Sequence, residues 1–272
     1  MHARPSIPHR HFWSVESLSP ADIRDVLDTA RRLRLAARDG QAGAPLRGRN
    51  LALLNDAAPD DGADGLRSAA LGLGAQVSHL RPSDSRLLTD NPDPATVRLL
   101  GRLYDAIDCE AMPPALVADV AREAGVPVFN GLGGSCHPTR VLAELLAMQE
   151  LSGKALDRLS VRFVGDPSSA CGSALLRAAA ATGIELRVAA ARERWPAPEL
   201  WALLTAGAVA GGSRLHLYES AAQAGEDSDL TVDASDAHPP WRFAARGGES
   251  APAERSGYRQ ATLQAMLVAA IS

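Results

Sequence analysis

Cysteine, lysine, aromatic residues and net charge are all scarce in this 272-residue chain. The three cysteines, Cys109, Cys136 and Cys171, are scattered, odd in number and never spaced as a CxxC pair. That pattern excludes a disulfide framework and a structural zinc site, and it fits a reducing compartment. Lys154 is the only lysine. Schiff-base chemistry, as in a pyridoxal phosphate enzyme, would have to use this residue in the loop-like Ser152-Gly153-Lys154, so that class is set aside. No run of 18 or more uncharged apolar residues is present, so no membrane-spanning helix is expected. The start of the chain, through His11, lacks the apolar stretch of a leader peptide, and the expected location is the cytoplasm. A formal net charge of −4 provides no basic field for nucleic acid or an anionic membrane.

What the chain does have is a 46% apolar content arranged in short runs that alternate with helical segments. Ser19-Pro20-Ala21-Asp22 reads as a helix start, with Ser19 as cap, and Ile23, Val26, Leu27, Ala30 and Leu33 follow at helical spacing. Arg24, Arg31, Arg32, Arg34 and Arg38 share that helix with Asp22, Asp25 and Asp28, and read as a solvated face with internal ion pairs. Strands are expected at 51–54, 77–80, 106–108 and 126–129, with helices at 64–73, 95–103 and 114–124 between them. After a long helix at 138–151, strands are expected near 161–164, 185–189, 214–218 and 229–232. The Gly-, Pro-, Ser- and Asp-rich stretch 234–252 reads as a surface loop, and 260–271 as a final helix. Such alternation argues for an α/β fold with two doubly wound parallel sheets. The expected domains are 1–137, completed by the C-terminal helix 254–272, and 152–253, joined by the 138–151 helix.

The most informative block is Pro127-Val-Phe-Asn-Gly-Leu-Gly-Gly-Ser-Cys-His-Pro-Thr-Arg-Val-Leu-Ala-Glu-Leu-Leu-Ala-Met-Gln-Glu150. It resembles the segment of ornithine and aspartate transcarbamylases that ends a strand, places a His-Pro-x-Gln and begins the interdomain helix. Leu73-Gly74-Ala75-Gln76-Val77, Tyr104-Asp-Ala-Ile107 and Val164-Gly165-Asp166 continue the likeness in order, nearest to ornithine carbamoyltransferases. The resemblance implies two α/β domains in a homotrimer with active sites shared between subunits. His137 would donate a hydrogen bond to a carbonyl oxygen as charge develops there. The alternative for His137 is a helix-terminal histidine satisfied by nearby backbone.

The departures fall on the family's phosphate contacts. The helix-terminal arginines of Ser-Thr-Arg-Thr-Arg align with Pro59-Asp60-Asp61-Gly62-Ala63, and the arginine after the third strand with Glu110. Each charge-assisted bond to phosphate contributes roughly 1.5–3 kcal/mol. Losing three would remove on the order of 5–9 kcal/mol, or about four to six powers of ten in affinity. The glutamine of His-Pro-x-Gln is Arg140, which is either a replacement anion contact or a solvated helix residue. Arg86, on the loop that the family lends to a neighbouring subunit, is the second replacement candidate. Asp60, Asp61 and Glu110 are candidates to bind a cationic group, or else mark a turn or helix cap. Ser169 aligns with an asparagine that helps hold the amino acid, and Asp233 with the late aspartate.

The expected catalytic residues are therefore His137 and Arg140, and the substrate-binding residues Asp60, Asp61, Arg86, Glu110, Ser169 and Asp233, with no metal and no cofactor. The functional expectation is an ornithine-carbamoyltransferase-like protein that binds an amino acid or cationic metabolite, its transfer from carbamoyl phosphate lost or altered. Two alternatives stand beside it: an active carbamoyltransferase whose donor site is rebuilt from Arg86 and Arg140, and a non-catalytic scaffold or regulatory partner of an active transcarbamylase.

Overall fold

The computed structural model describes residues 11–55, 61–81, 93–134, 137–235, 239, 241–246 and 255–271, with side chains placed throughout except at 61–64, 210, 255 and 256. The described chain divides into two compact units. Unit 1 takes its described residues from 1–13, 35–134 and 263–272, and unit 2 from 14–34 and 135–262.

Unit 1 is built on a parallel four-stranded sheet in the order β2-β1-β3-β4. Its strands are β1 (Asn50–Leu54), β2 (Gln76–Leu80), β3 (Ala106–Cys109) and β4 (Val128–Phe129). Helix α2 (Asp61–Gly72) links β1 to β2, and α3 (Pro94–Leu103) and α4 (Pro114–Ala124) precede β3 and β4. Leu51 pairs with Val77 on one side and Ala106 on the other, which makes β1 the interior strand of the first crossover. Interior parallel strands are covered on both faces, so Leu51, Ala52, Leu53 and Leu54 are all buried and read as one apolar run. Asp93 caps α3, its carboxylate accepting from the amides of Ala95 and Thr96, with Pro94 in the first turn. Gly101 lets α3 lie against the end of α4: a Cβ there would sit 1.7 Å from the Ala124 carbonyl oxygen.

Unit 2 carries a five-stranded sheet in the order β7-β6-β5-β8-β9. Its strands are β5 (Ser160–Gly165), β6 (Glu185–Ala189), β7 (Arg214–Tyr218), β8 (Leu230–Ala234) and β9 (Arg242–Ala245). Neighbours pair in parallel except β8 with β9, which run antiparallel. Strand β9 corrects the expectation of a loop over 234–252: Trp241 and Phe243 alternate inward, and Trp241 packs edge-on against Phe163 at 5.5 Å.

Helix α1 (Pro20–Arg38) starts as its sequence implies. Ser19 and Asp22 cap each other, the Ser19 amide donating to the Asp22 carboxylate and the Asp22 amide to the Ser19 hydroxyl. Its solvated face, however, does not include Arg34. That side chain is buried, paired with Glu150 and stacked 4.0 Å from the Tyr258 ring, all within unit 2. The long helix expected from 138 begins instead as a 3-10 turn over Pro138–Arg140, and α5 proper runs Val141–Ser152. Every residue from Val141 to Met148 is buried, which is why this helix shows no polar face. Helices α6 (Ala170–Thr182), α7 (Pro198–Gly211) and α8 (Arg255–Ile271) complete the described elements. No helix among the described residues is long and apolar enough to cross a membrane.

Candidate functional site

Each sheet has one place where the chain leaves an interior strand in opposite directions, and open α/β sheets bind ligands outside the carboxyl ends of their strands at such points. In unit 1 this point lies between β1 and β3, and in unit 2 between β5 and β8.

At the carboxyl ends of β1 and β3 stand Asn55 and Glu110. The Asn55 side-chain amide donates to Glu110 Oε2 at 2.9 Å, so the Glu110 carboxylate is held at the strand ends. Glu110 also packs on Gly131, whose φ of +84° is a conformation that strains any other residue. One residue into β3, the Asp108 carboxylate is buried and accepts from the amides of Gly131 and Leu132 at 2.9 and 3.0 Å. Burial pushes its carboxyl up to about 6, although those two amides oppose the rise. The sequence expectation for Asp108 was a strand end, and the structure makes it a clasp on the segment that follows β4. Asp61 opens α2. Asp60 and Arg86 lie outside the described residues.

In unit 2, His137 caps the turn that leads into α5, and Arg140 and Glu144 follow one turn apart on the same side. The Thr139 amide donates to His137 Nδ1 at 3.3 Å, and the Thr139 hydroxyl lies 2.8 Å from the same atom. A backbone amide can only donate, which assigns Nδ1 as the acceptor and places the proton of the neutral ring on Nε2. Burial, reinforced by the charge of Arg259, drives His137 down to about 3, so the ring is neutral near pH 7 and Nε2–H is a hydrogen-bond donor.

Arg259, on α8, is the residue of this cluster that the sequence reading missed. The residue as a whole is half-buried, but its Nε and Nη1 are fully covered. Burial lowers it to about 9, the Arg140 charge adds to that, and Glu144 works against it. Glu144 is itself buried and its Oε2 accepts from the Trp241 amide at 3.4 Å. A signal was present: Arg259 is the only charged residue between 257 and 272.

Ser169 and Asp233 lie at the β5–β8 switch point and are engaged locally. Ser169 caps α6, its hydroxyl accepting from the Gly172 amide at 3.0 Å and donating to the Asp166 carbonyl at 2.8 Å. The Asp233 carboxylate accepts from the Ser235 amide and hydroxyl, which hold it below the usual carboxylate range. Among the described residues, no three His, Cys, Asp or Glu side chains converge as a metal site would require.

A His-Pro turn heading a helix buried from Val141 to Met148 in one unit, and a parallel sheet ending in the Asn55–Glu110 pair in the other, fit a carbamoyltransferase-type fold. Residues 10–150, just over half of the 272, match the family described as aspartate/ornithine carbamoyltransferase, carbamoyl-P binding domain. The chain belongs to the aspartate/ornithine carbamoyltransferase family. It is similar to the ornithine carbamoyltransferase of Gloeobacter violaceus, at 23% identity over 98% of this chain and 100% of that one, with a TM-score of 0.72. For the ornithine carbamoyltransferase of Pyrococcus furiosus the values are 24%, 85%, 73% and 0.70. For the catalytic subunit of M. jannaschii aspartate transcarbamoylase they are 17%, 97%, 98% and 0.74. Likeness at these identities carries the fold.

Proposed function

We propose that this protein is a divergent member of its family that binds an amino acid or a small cationic metabolite and has lost or altered transfer from carbamoyl phosphate. One observation carries the reading: a carboxylate, Glu110, is fixed by Asn55 at the strand ends where the family alignment calls for a phosphate-binding arginine. A carboxylate there repels a dianion and attracts an ammonium or guanidinium group. Calorimetry with carbamoyl phosphate, paired with a citrulline assay in the presence of ornithine, is the test. No binding at micromolar concentrations and no citrulline is the expected result, and micromolar binding with citrulline formation ends the reading. The protein is further taken as a cytoplasmic homotrimer, which mass photometry checks directly.

A second reading, a working carbamoyltransferase with a rebuilt donor site, draws support from unit 2. There a neutral His137 presents an Nε2–H donor in the company of Arg140 and Arg259. On that reading Arg140→Ala abolishes turnover, and unchanged turnover in the variant disposes of it.

A further inference from the structure

Strand β7 is the edge of the unit 2 sheet, and among the described residues it pairs only with β6. The ladder fixes which of its backbone groups that pairing uses. The Arg214 amide donates to the Ile184 carbonyl at 3.2 Å, and the Ala190 amide to the Tyr218 carbonyl at 3.0 Å. In a parallel pair, alternate residues turn both backbone groups to the same neighbour, so Arg214, His216 and Tyr218 face β6. Leu215 and Leu217 therefore each turn an N–H and a C=O to the outer edge, where no described residue pairs with them.

A groove of about 510 Å³ runs along that edge, a volume typical of a binding cleft. Leu215, His216, Leu217 and Tyr218 all line it. Successive strand side chains point to opposite faces of a sheet, so four in a row reach one groove only along the strand's own edge. The opposite wall is Trp195, Trp201 and the two prolines between them, from the segment after β6 and the start of α7. Trp195 is held in place, its Nε1 donating to the Ala190 carbonyl at 2.8 Å. None of the described residues that line the groove is Asp, Glu, Lys or Arg.

These features select the occupant. Leu215 to Tyr218 spans about 10 Å at roughly 3.3 Å per residue, a length that a short extended peptide covers and a single ring does not. The outward N–H and C=O groups recur at strand spacing, which a peptide backbone matches. A second copy's β7 would lie recessed behind its own tryptophan wall, so two such edges do not meet. An uncharged wall of tryptophan and proline suits uncharged, apolar side chains.

We propose that the outer edge of β7 takes up an extended, uncharged peptide segment as an added strand of the unit 2 sheet. Main-chain hydrogen bonds to Leu215 and Leu217 hold it, and an apolar side chain of the segment lies against Trp195 and Trp201.

The test uses the full chain and the peptide acetyl-Ser-Val-Ser-Val-Ser-amide, with two further forms N-methylated either at both valines or at the last two serines. Calorimetry should show binding of the parent peptide, binding weakened at least about tenfold in one methylated form, and little change in the other, because alternate amides of a strand face opposite ways. Amide exchange in the saturated complex should slow at least about tenfold at Leu215 and Leu217 and stay unchanged at His216 and Tyr218, whose amides already bond to β6. Leu217→Pro deletes one outward donor without removing a ladder bond, and should weaken binding by about three- to tenfold. Equal loss in both methylated forms, loss in neither, no binding of the parent peptide at millimolar concentration, or unchanged exchange at Leu215 and Leu217 overturns the proposal. So does slow exchange of those two amides without peptide: if it grows with protein concentration the edge belongs to a second copy, and if it does not the edge belongs to the chain itself.

Discussion

Asp108→Asn isolates the electrostatic cost of the buried clasp in unit 1. The asparagine side-chain oxygen can keep both hydrogen bonds from the Gly131 and Leu132 amides, while the charge disappears. In the unfolded chain the Asp108 carboxyl titrates near 3.8, and in the folded protein burial raises it to about 6. Between those values the native state holds a proton that the unfolded state has lost. Stability therefore falls as pH rises from about 4 to about 6, and the full penalty is present above that window. At roughly 1.36 kcal/mol per tenfold change in proton affinity, the penalty reaches about 3 kcal/mol at pH 7. The asparagine NH2 adds a cost of its own, about 1–3 kcal/mol if it finds no acceptor, but that cost does not vary with pH.

The quantity to measure is thus the stability difference between Asp108→Asn and the unsubstituted protein at each pH. It should move in favour of the variant by about 2.5 kcal/mol between pH 4 and pH 7. Taking the difference also cancels His137. That ring, depressed to about 3, makes the protein less stable as pH falls below 6.5 in both forms alike. Urea unfolding by circular dichroism, with amide hydrogen exchange read in unit 1, supplies the numbers. Parallel pH profiles for the two proteins would refute the assignment of a raised carboxyl at Asp108.

Three further outcomes are expected. Ser169→Ala should cost about 1 kcal/mol as a lost helix cap, and calorimetry of ligand binding should be little changed, because the hydroxyl is occupied by Gly172 and Asp166. Trp241→Ala should lower stability by about 3–5 kcal/mol in chemical denaturation, through the cavity left beside Phe163. Arg34→Ala should lower it by a similar amount, about 3–5 kcal/mol, since Glu150 is left behind as a largely buried charge, while replacing both partners, Arg34→Met with Glu150→Leu, should recover most of that loss in the same assay.

The order of strands and helices was legible because interior parallel strands are covered on both faces and appear as unbroken apolar runs between capped helices. Leu51 to Leu54 and the Asp93-Pro94 helix start are of this kind. Strand β9 was not, because its inward residues Trp241 and Phe243 make only one alternation inside a stretch dominated by Gly, Pro and Ser. The charged residues behaved differently again. Arg34 lies on a helix whose other arginines are exposed, whereas Asp108 sits in an apolar strand and Arg259 on an apolar helix, and in each case the partner comes from a distant segment. Arg34 needs Glu150 and Tyr258, Asp108 needs Gly131 and Leu132, and Arg259 needs the turn that carries His137 and Arg140.

The same distinction bears on function. The sequence resemblance sets Glu110 and Arg140 where the family pattern has an arginine and a glutamine. In the folded units they have opposite chemical character: the unit 1 position holds an acceptor steadied by Asn55, and the unit 2 position a guanidinium donor. In unit 1, the Glu110 carboxylate that Asn55 fixes suits an ammonium or guanidinium group. Methylamine binding by the unsubstituted protein and by Glu110→Gln tests that assignment: weaker binding by the variant is the expected result, and equal binding refutes it.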